Sequence, residues 1–400
     1  MRIARDEGCH NKFLLIAAIY LLAAIPLVFL GYGSDNDTYG VLDAGLKTWG
    51  QNNPSMSRHP GYWLYEALVY FINGLGGSLA TNICTLVASL FIVHSFHSIL
   101  DKRNINNKTL ITLCFSLNPY FLIAATSTMD HIWALALIVL VMQIMNQRRM
   151  ILVGLLAGMA IGMRLSSAIA IFGILFGSLM HSIKIENFKR LFVIGLISLV
   201  VGGMFYVPSW MFVGENSSFL TPHLGNESLW TLRMHVGRAL YKPTYLFGLL
   251  SFAGIIVISA FMAIHKKISF DDSDVCIVAI FGAVSTLVLF VIYPLKINYL
   301  LPFLFFTYLA FGLLFRECPK YAISLLFISV ISYSFVSFPL AKPDRPNRAR
   351  NAMIGLSIEN GVLLSDISKR LELMPCKTLS CWEDNRDRNE VPDQIVKPAP

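Results

Sequence analysis

Charged residues are scarce in this chain. Only 14% of its 400 residues are Asp, Glu, Lys or Arg, while 55% are hydrophobic, and a soluble domain usually has about a quarter of its residues charged. The apolar residues gather in runs close to the ~20 residues that a helix needs to cross ~30 Å of hydrocarbon. Because backbone polar groups in lipid must pair within their own segment, this composition predicts a helical membrane protein.

Signatures of soluble enzymes are also missing. We find no nucleotide-binding Gly-rich loop, dinucleotide fingerprint, zinc-ligand spacing or Gly-x-Ser-x-Gly elbow in a useful context. Nucleotide-driven chemistry is therefore not supported, and a donor that arrives with a lipid is more natural. Cys84, Cys114 and Cys276 lie in apolar runs, where Cys usually fills space. Cys376 and Cys381 lie in the tail, and their spacing permits a disulfide that sequence alone leaves open.

Eleven apolar runs predict an all-α polytopic protein with about eleven transmembrane helices. The runs are 13–31, 79–100, 109–127, 131–147, 151–163, 165–181, 191–213, 245–265, 275–295, 297–315 and 321–341. Fifteen Lys and Arg residues fall in one set of connections and seven in the alternate set. The positive-inside rule then places the N-terminus in the cytoplasm and the C-terminus outside. Topology thus explains most of the net charge of +8, and no nucleic-acid partner is expected.

The chain divides into a transmembrane module, 1–341, and a small external tail domain, 342–400, which its charge and proline content predict to be partly disordered. Two loops of the module, 32–78 and 214–244, are expected outside. The run GYWLYEALVYFING in the first loop is amphipathic and rich in aromatics. We expect this run to form an interfacial helix.

Five charged side chains interrupt the apolar sequence near the same predicted membrane face. They are Asp35, Asp37, Asp130, Arg164 and Lys296. Charge at a bilayer is expensive, so such residues usually line a path, a pocket or a reaction centre. Two clustered carboxylates opposite isolated cations suggest a site that activates a hydroxyl and binds a phosphate.

Each of these residues also has a plain structural interpretation. The acidic cluster could be a helix N-cap, and Asp130 could simply begin a helix whose dipole favours it. Lys296 and Arg164 could extend towards the interface from the ends of spans. Arg58 offers a planar fork of donors to a lipid phosphate, but it could instead anchor the interface.

In four motifs the chain resembles the GT-C glycosyltransferase superfamily of polytopic enzymes that use polyprenyl-phosphate-linked sugars. The resemblance covers residues 30–340. The motifs are Asp35-Asn36-Asp37, Arg58-His59-Pro60-Gly61, Gly162-x-Arg164-x-Ser166 and Lys296-x-x-Tyr299-Leu300-Leu301-Pro302. The chain departs from the commonest acidic pattern because Asn36 separates the two aspartates. That departure leaves open which aspartate acts as the base.

The resemblance implies a mechanism that agrees with the residue chemistry. Asp35 or Asp37 would take the proton of an acceptor hydroxyl, and the oxygen would displace the lipid phosphate with inversion. The donor phosphate would be bound by Arg164, Lys296, Arg58 and Tyr299. Supporting roles fall to His59, Asp130, His131, Arg233 and Arg238. No cofactor is expected, although two nearby aspartates permit a divalent cation.

The expected enzyme is a bacterial inner-membrane glycosyltransferase with its active face in the periplasm. Its partners would be a polyprenyl-phosphate sugar donor, a surface glycan or lipid acceptor, and membrane lipids. A polymerase or ligase of lipid-linked oligosaccharides is one alternative, although the external loops hold few arginines. A transporter of lipid-linked sugars is another, but it predicts internal repeats and charges at mid-membrane depth.

Overall fold

The computed structural model describes residues 2–58, 61–145, 149–213, 237, 239, 241–249, 252–254, 256–257, 260, 274–292, 296–314, 327, 330–331, 333–338 and 358–389. Within these ranges the chain is almost entirely helical. Four described helices are long and apolar enough to cross a membrane, and a fifth span results if one bent pair counts as a single span. Several further apolar helices are shorter. The protein is therefore a multi-pass helical membrane protein.

The first quarter of the chain forms the helices that surround the acidic motif Asp35-Asn36-Asp37. Its elements are α1 (Arg2–Val28), α2 (Asn36–Gly45), a π-helical turn (Leu46–Gly50) and α3 (Trp63–Lys102). Helix α3 is broken at Gly76 and Gly77, where Gly77 has a φ of 61°. This left-handed conformation suits glycine. The break separates the aromatic segment predicted to lie along the interface from the predicted span 79–100.

The predicted span 109–127 is not one straight helix. It consists of α4 (Lys108–Ser116) and α5 (Pro119–Ala125), which are bent by 64°. The Asn118 side chain accepts hydrogen bonds from the backbone N–H groups of Tyr120 and Phe121, and Pro119 occupies the first turn of α5. An Asn cap followed by Pro is a strong start signal for a new helix, so the sequence itself specifies the break.

Five helices follow. They are α6 (Asp130–Ile144), α7 (Met150–Met163), α8 (Ser167–His181), α9 (Ile185–Met204) and α10 (Val207–Val213). The predicted runs 151–163 and 165–181 thus correspond to α7 and α8, whereas the predicted run 191–213 is divided between α9 and α10. At 1.5 Å per residue, α7 and α8 are each only about 21 Å long, and Arg164 lies in the gap between them.

Glycines allow α7 and α8 to pack closely on their neighbours. A Cβ atom at Gly154, Gly158 or Gly162 of α7 would lie within 2.7 Å of a side chain on or just after α9. Gly173 and Gly177 of α8 approach the helix that begins at Asp274 equally closely. Stripes of small residues are a common basis of helix packing in membranes. They fix α7 and α8, and therefore the gap between them.

The C-terminal part contributes α11 (Asp274–Ile292), a 3₁₀ turn (Ile297–Leu300), α12 (Leu301–Leu314), β1 (Val336–Ser337), β2 (Glu359–Asn360), α13 (Val362–Leu373) and α14 (Leu379–Asn389). The two short strands pair antiparallel. A disulfide joins Cys376, which follows α13, to Cys381 in the first turn of α14. Most of the predicted span 321–341 and of the loop 214–244 lies outside the described residues, as does about half of the predicted span 245–265, although residues 241–247 are already helical.

Candidate active site

The acidic motif begins a helix and also faces a cation. Asp35 is the N-cap of α2, and its Oδ1 accepts a hydrogen bond of 3.0 Å from the backbone N–H of Asp37. The same Oδ1 accepts a 2.7 Å bond from Nζ of Lys296. Lys296 also lies 2.8 Å from Oδ1 of Asp37. The capping interpretation of the motif is therefore correct, and it coexists with a contact to the predicted cation.

Three carboxylates and three cations alternate along a continuous network. After Lys296 and Asp37, Arg58 Nη1 lies 2.5 Å from Oδ2 of Asp37 and Nη2 lies 2.8 Å from Oδ2 of Asp130. Arg164 Nη1 then donates to both carboxylate oxygens of Asp130, at 3.0 and 2.9 Å. The formal charges cancel along the network, as buried charges require.

Exposure is higher at the Asp35 and Lys296 end of this network than at Asp130 and Arg164. The exposed fraction of the side chain is 37% at Lys296, 23% at Asp35 and 20% at Asp37, and it reaches 5% at Arg164 and 0% at Asp130. A ligand from outside therefore meets the Lys296 end first. Asp130 lies at the inner end, enclosed by two guanidinium groups.

Arg58 is held by a short loop that is itself supported by a buried carboxylate. Glu66, on the first turn of α3, accepts hydrogen bonds from the Ser57 backbone N–H at 3.0 Å and from its hydroxyl at 2.5 Å. Burial alone would lower the pKa of Arg58, but the carboxylates of Asp130 and Asp37 outweigh it and hold the pKa above its ordinary value. Arg58 is thus a permanent cation between two aspartates.

Aromatic rings cover the two arginines. The guanidinium of Arg164 lies 4.1 Å from the ring centroid of Tyr299, and that of Arg58 lies 4.5 Å from the ring centroid of Tyr62. Such cation–π contacts stabilise by roughly 0.5–2 kcal/mol. The imidazole of His131 is buried beside Arg164, with Nε2 at 3.4 Å from Nη1. Tyr299 therefore contacts an arginine of the network in this structure.

A pocket of about 430 Å³ opens beside the outer end of the network. Asp35 and Lys296 line it, whereas Asp37, Arg58, Asp130 and Arg164 do not. Its other walls come from α5, from the helical segment at residues 241–245 and from α13, and they include Tyr120, Tyr241, Tyr245, Lys242, Asp366 and Lys369. A space of this size with tyrosines and charged groups is suited to a polar ligand with a ring.

The structure brings together eight of the predicted site residues: Asp35, Asp37, Arg58, Asp130, His131, Arg164, Lys296 and Tyr299. His59, Arg233 and Arg238 lie outside the described residues. No group of three or more His, Cys, Asp and Glu side chains suited to a metal occurs in the described part of the chain. A divalent ion bound to Oδ1 of either aspartate would have to displace the Lys296 ammonium from that oxygen.

Sequence reasoning did not find the contribution of the tail. Ser34 donates a 2.5 Å hydrogen bond to Oδ1 of Asp366 on α13, and Asp366 forms an ion pair with the fully buried Arg370. None of the predicted site residues lies in the tail, which its charge and proline content predict to be partly disordered. Asp366 and Arg370 are four residues apart, a spacing that pairs charges on one helix face, and this was the available signal.

The apolar helices define the class to which the protein belongs, that of multi-pass helical membrane proteins. No family model matches the sequence, and no curated protein sequence does. The structure is similar to the crystal structure of ArnT from Cupriavidus metallidurans bound to undecaprenyl phosphate, with a TM-score of 0.59 and 13% sequence identity. The similarity covers 80% of this chain and 63% of that chain, so this protein spans less than two thirds of the length of ArnT. At this identity the likeness concerns the fold, which agrees with the resemblance carried by the four sequence motifs.

Proposed function

We propose that the protein is a membrane glycosyltransferase that moves a sugar from a polyprenyl-phosphate carrier to a hydroxyl group of a glycan or lipid. The observation that carries the proposal is the pairing of Asp35 with Lys296 at the wall of a pocket. Glycosyl transfer from a lipid phosphate needs a base for the acceptor and a cation for the departing phosphate. This pair supplies one of each within a GT-C-like fold.

Asp35 is the better candidate for the base. Both carboxylate oxygens of Asp37 are engaged, Oδ1 by Lys296 and Oδ2 by Arg58. Asp35 accepts its hydrogen bonds at Oδ1, and no described residue donates a hydrogen bond to its Oδ2. Because Asp35 also lines the pocket, Oδ2 is the carboxylate oxygen available to accept a proton from an acceptor hydroxyl.

Lys296 is the better candidate for the cation that contacts the donor phosphate. It is the most exposed member of the network and lines the pocket. Arg164 and Arg58 are paired with Asp130, so we assign them a supporting role in place of the direct phosphate contact expected from sequence. They would hold Asp37 and Tyr299 in position, and these two residues would in turn position Asp35 and Lys296.

In this mechanism Asp35 removes the proton as the acceptor oxygen attacks the anomeric carbon. The bond to the lipid phosphate breaks, and the negative charge that develops on the phosphate is stabilised by the ammonium of Lys296. One displacement of this kind inverts the anomeric configuration. Lys296 supplies a counter-charge of the kind that a divalent cation would otherwise provide.

The same proposal places the reaction on the periplasmic face of a bacterial inner membrane. The excess of Lys and Arg in the opposite connections supports this orientation. The Cys376–Cys381 disulfide supports it as well, because disulfides persist in oxidising compartments. The tail that contains the disulfide contributes Asp366 to the same pocket as Asp35.

The test is transfer by purified protein from a panel of polyprenyl-phosphate sugars to an envelope extract. We expect Asp35→Asn to lower kcat by about 10²-fold or more, since a positioned base contributes that much, while the melting temperature stays close to that of the wild type. Asp37→Asn should leave more activity and cost more stability, because it removes a partner of both Lys296 and Arg58.

Asp43→Asn is the matched control. Asp43 lies on the same helix, in a partly exposed pair with Lys47, so this variant should keep both activity and stability. Equal activity of Asp35→Asn and wild type would refute the assignment of the base. Folded wild-type protein that consumes no donor would refute the glycosyltransferase proposal in favour of a polymerase, ligase or transporter.

A further inference from the structure

The tail reaches the acidic motif through a chain of three polar side chains. The hydroxyl of Ser34, the residue directly before Asp35, donates to Oδ1 of Asp366 at 2.5 Å. Oδ2 of Asp366 in turn lies 2.6 Å from Nε of Arg370, one turn further along α13. The first contact joins residues 332 positions apart in the sequence. We call this chain the tail relay.

Arg370 anchors the tail relay to the membrane module. Its side chain is fully buried and donates to the carbonyl oxygens of Thr126 at 2.8 Å and Ile123 at 2.9 Å, with a longer bond of 3.4 Å to Leu27. These carbonyls lie at the C-terminal ends of α5 and α1, where helices have unpaired carbonyl groups and a negative dipole end. A cation is therefore stabilised there.

In the segment 31–33, which leads to Asp35, each backbone carbonyl accepts a hydrogen bond. Asn82 donates to the carbonyl of Gly31, the Thr128 N–H donates to the carbonyl of Tyr32, and the Tyr39 hydroxyl donates to the carbonyl of Gly33. All three partners belong to the membrane module. Ser34 continues this series, and its side-chain partner is Asp366 of the tail.

We propose that the tail relay positions Asp35, so that Asp366 and Arg370 are positioning residues for the reaction. The effect of the tail relay on catalysis rests on the proposed function. Its effect on the order of the acidic motif is independent of that function. Ser34 is bonded covalently to Asp35, and Asp35 and Asp366 line the same pocket. A shift of Asp366 therefore moves the Ser34 hydroxyl and changes the direction of the Asp35 carboxylate.

Two variants test the tail relay with little risk of unfolding. Ser34→Ala removes one hydroxyl, and Ser34→Thr keeps it. We expect Ser34→Ala to lower kcat about tenfold or more at nearly unchanged KM and melting temperature, and Ser34→Thr to restore most of the rate. Asp366→Asn should act in the same direction. Ser368→Ala, at an exposed position of α13 outside the pocket, should match the wild type.

Amide hydrogen exchange provides a readout that does not need activity. The N–H groups of Asp37 and Thr38 donate to the side-chain and main-chain oxygens of Asp35, so their exchange reports the order of this turn. We expect faster exchange at both amides in Ser34→Ala and Asp366→Asn, but not in Ser368→Ala. Unchanged exchange in the first two variants would overturn the tail relay. Faster exchange in a protein that transfers no sugar would support the tail relay and refute only the proposed function.

Discussion

At the scale of single residues, burial separates charges that have the same sequence signature. Asp35 and Asp130 are both aspartates beside a span. Asp35 lines a pocket and is partly exposed, while Asp130 has no exposed surface and contacts two arginines. A fully paired carboxylate has little capacity to accept another proton. The sequence identified the acidic residues of the site, but only their partners distinguish a base from a structural counter-ion.

Asp130→Asn tests the structural role of Asp130. The substitution leaves the guanidiniums of Arg58 and Arg164 close together without the carboxylate between them. Breaking a buried ion pair in this way costs about 3–5 kcal/mol, so we expect a clearly lower melting temperature and a smaller yield of folded protein. Thermal unfolding followed by size-exclusion chromatography measures both. A variant with wild-type stability and no activity would instead place Asp130 in the chemistry.

The residues that were anticipated and those that were missed differ in their surroundings. Asp35, Arg164 and Lys296 interrupt apolar sequence. Because a charged side chain costs free energy in a membrane, its presence there indicates a candidate site residue. Asp366 and Arg370 lie in a polar segment, where charge is ordinary. The contacts that make Arg370 important join it to Thr126 and Leu27, 244 and 343 positions away, and no local pattern encodes such distances.

At the scale of elements, the gap between α7 and α8 presents Arg164 to the site. Arg164 has extended backbone angles, with φ of −160° and ψ of 117°, while its N–H still closes the last turn of α7 on Ala160. The glycine contacts of α7 with α9, and of α8 with α11, hold both helices on either side of the gap. Helix packing thus determines the position of the guanidinium.

Gly158→Ala and Gly203→Ala form a matched pair that tests this packing. A Cβ atom at Gly158 would lie 2.6 Å from Cβ of Val201, whereas at Gly203 it would meet nothing within 4 Å. We expect Gly158→Ala to destabilise the protein by about 1–3 kcal/mol through overpacking. Gly203→Ala should be neutral or slightly stabilising because Ala favours helix.

Unfolding by heat in detergent compares the two variants with the wild type. A lower melting temperature for Gly158→Ala alone would agree with close α7–α9 packing. Equal melting temperatures for the two variants would show that this contact is loose and that something else fixes Arg164.

Hydropathy predicted most helices of the described bundle, but not the breaks within them or the helices in the loops. Runs 151–163 and 165–181 match α7 and α8 because apolar helix interiors give a clear signal. The run 109–127 is divided into two helices because Asn118 and Pro119 start a new one, a local signal that a hydropathy window averages out. The loop 32–78 contains α2, for which only the N-cap interpretation of the acidic motif gave a signal, and the first part of α3, which agrees with the helix expected from the aromatic run.

At the scale of the whole molecule, the site and the tail are at one end of the helical bundle. Arg164 precedes α8, which runs for 15 residues, and Lys184 follows as the N-cap of α9. At 1.5 Å per residue, Lys184 therefore lies about 22 Å or more from the site end along the helix axis. The tail helix α13 lines the pocket that contains Asp35. The two ends are far enough apart to be labelled separately.

Cysteines introduced at Ser368 and Lys184 test which end faces the periplasm. The excess of Lys and Arg predicts that Ser368→Cys reacts with a membrane-impermeant maleimide in intact spheroplasts, and that Lys184→Cys reacts only after the membrane is permeabilised. Cys9 and Cys318, which the positive-inside rule places on the cytoplasmic side, are replaced by Ser in both variants, so that the introduced thiol is compared against the same background. Labelling of Lys184→Cys in intact spheroplasts would show that the orientation is the reverse of the predicted one. The pocket would then face the reducing cytoplasm, where a Cys376–Cys381 disulfide is not expected to persist, and the donor would have to be presented on that side.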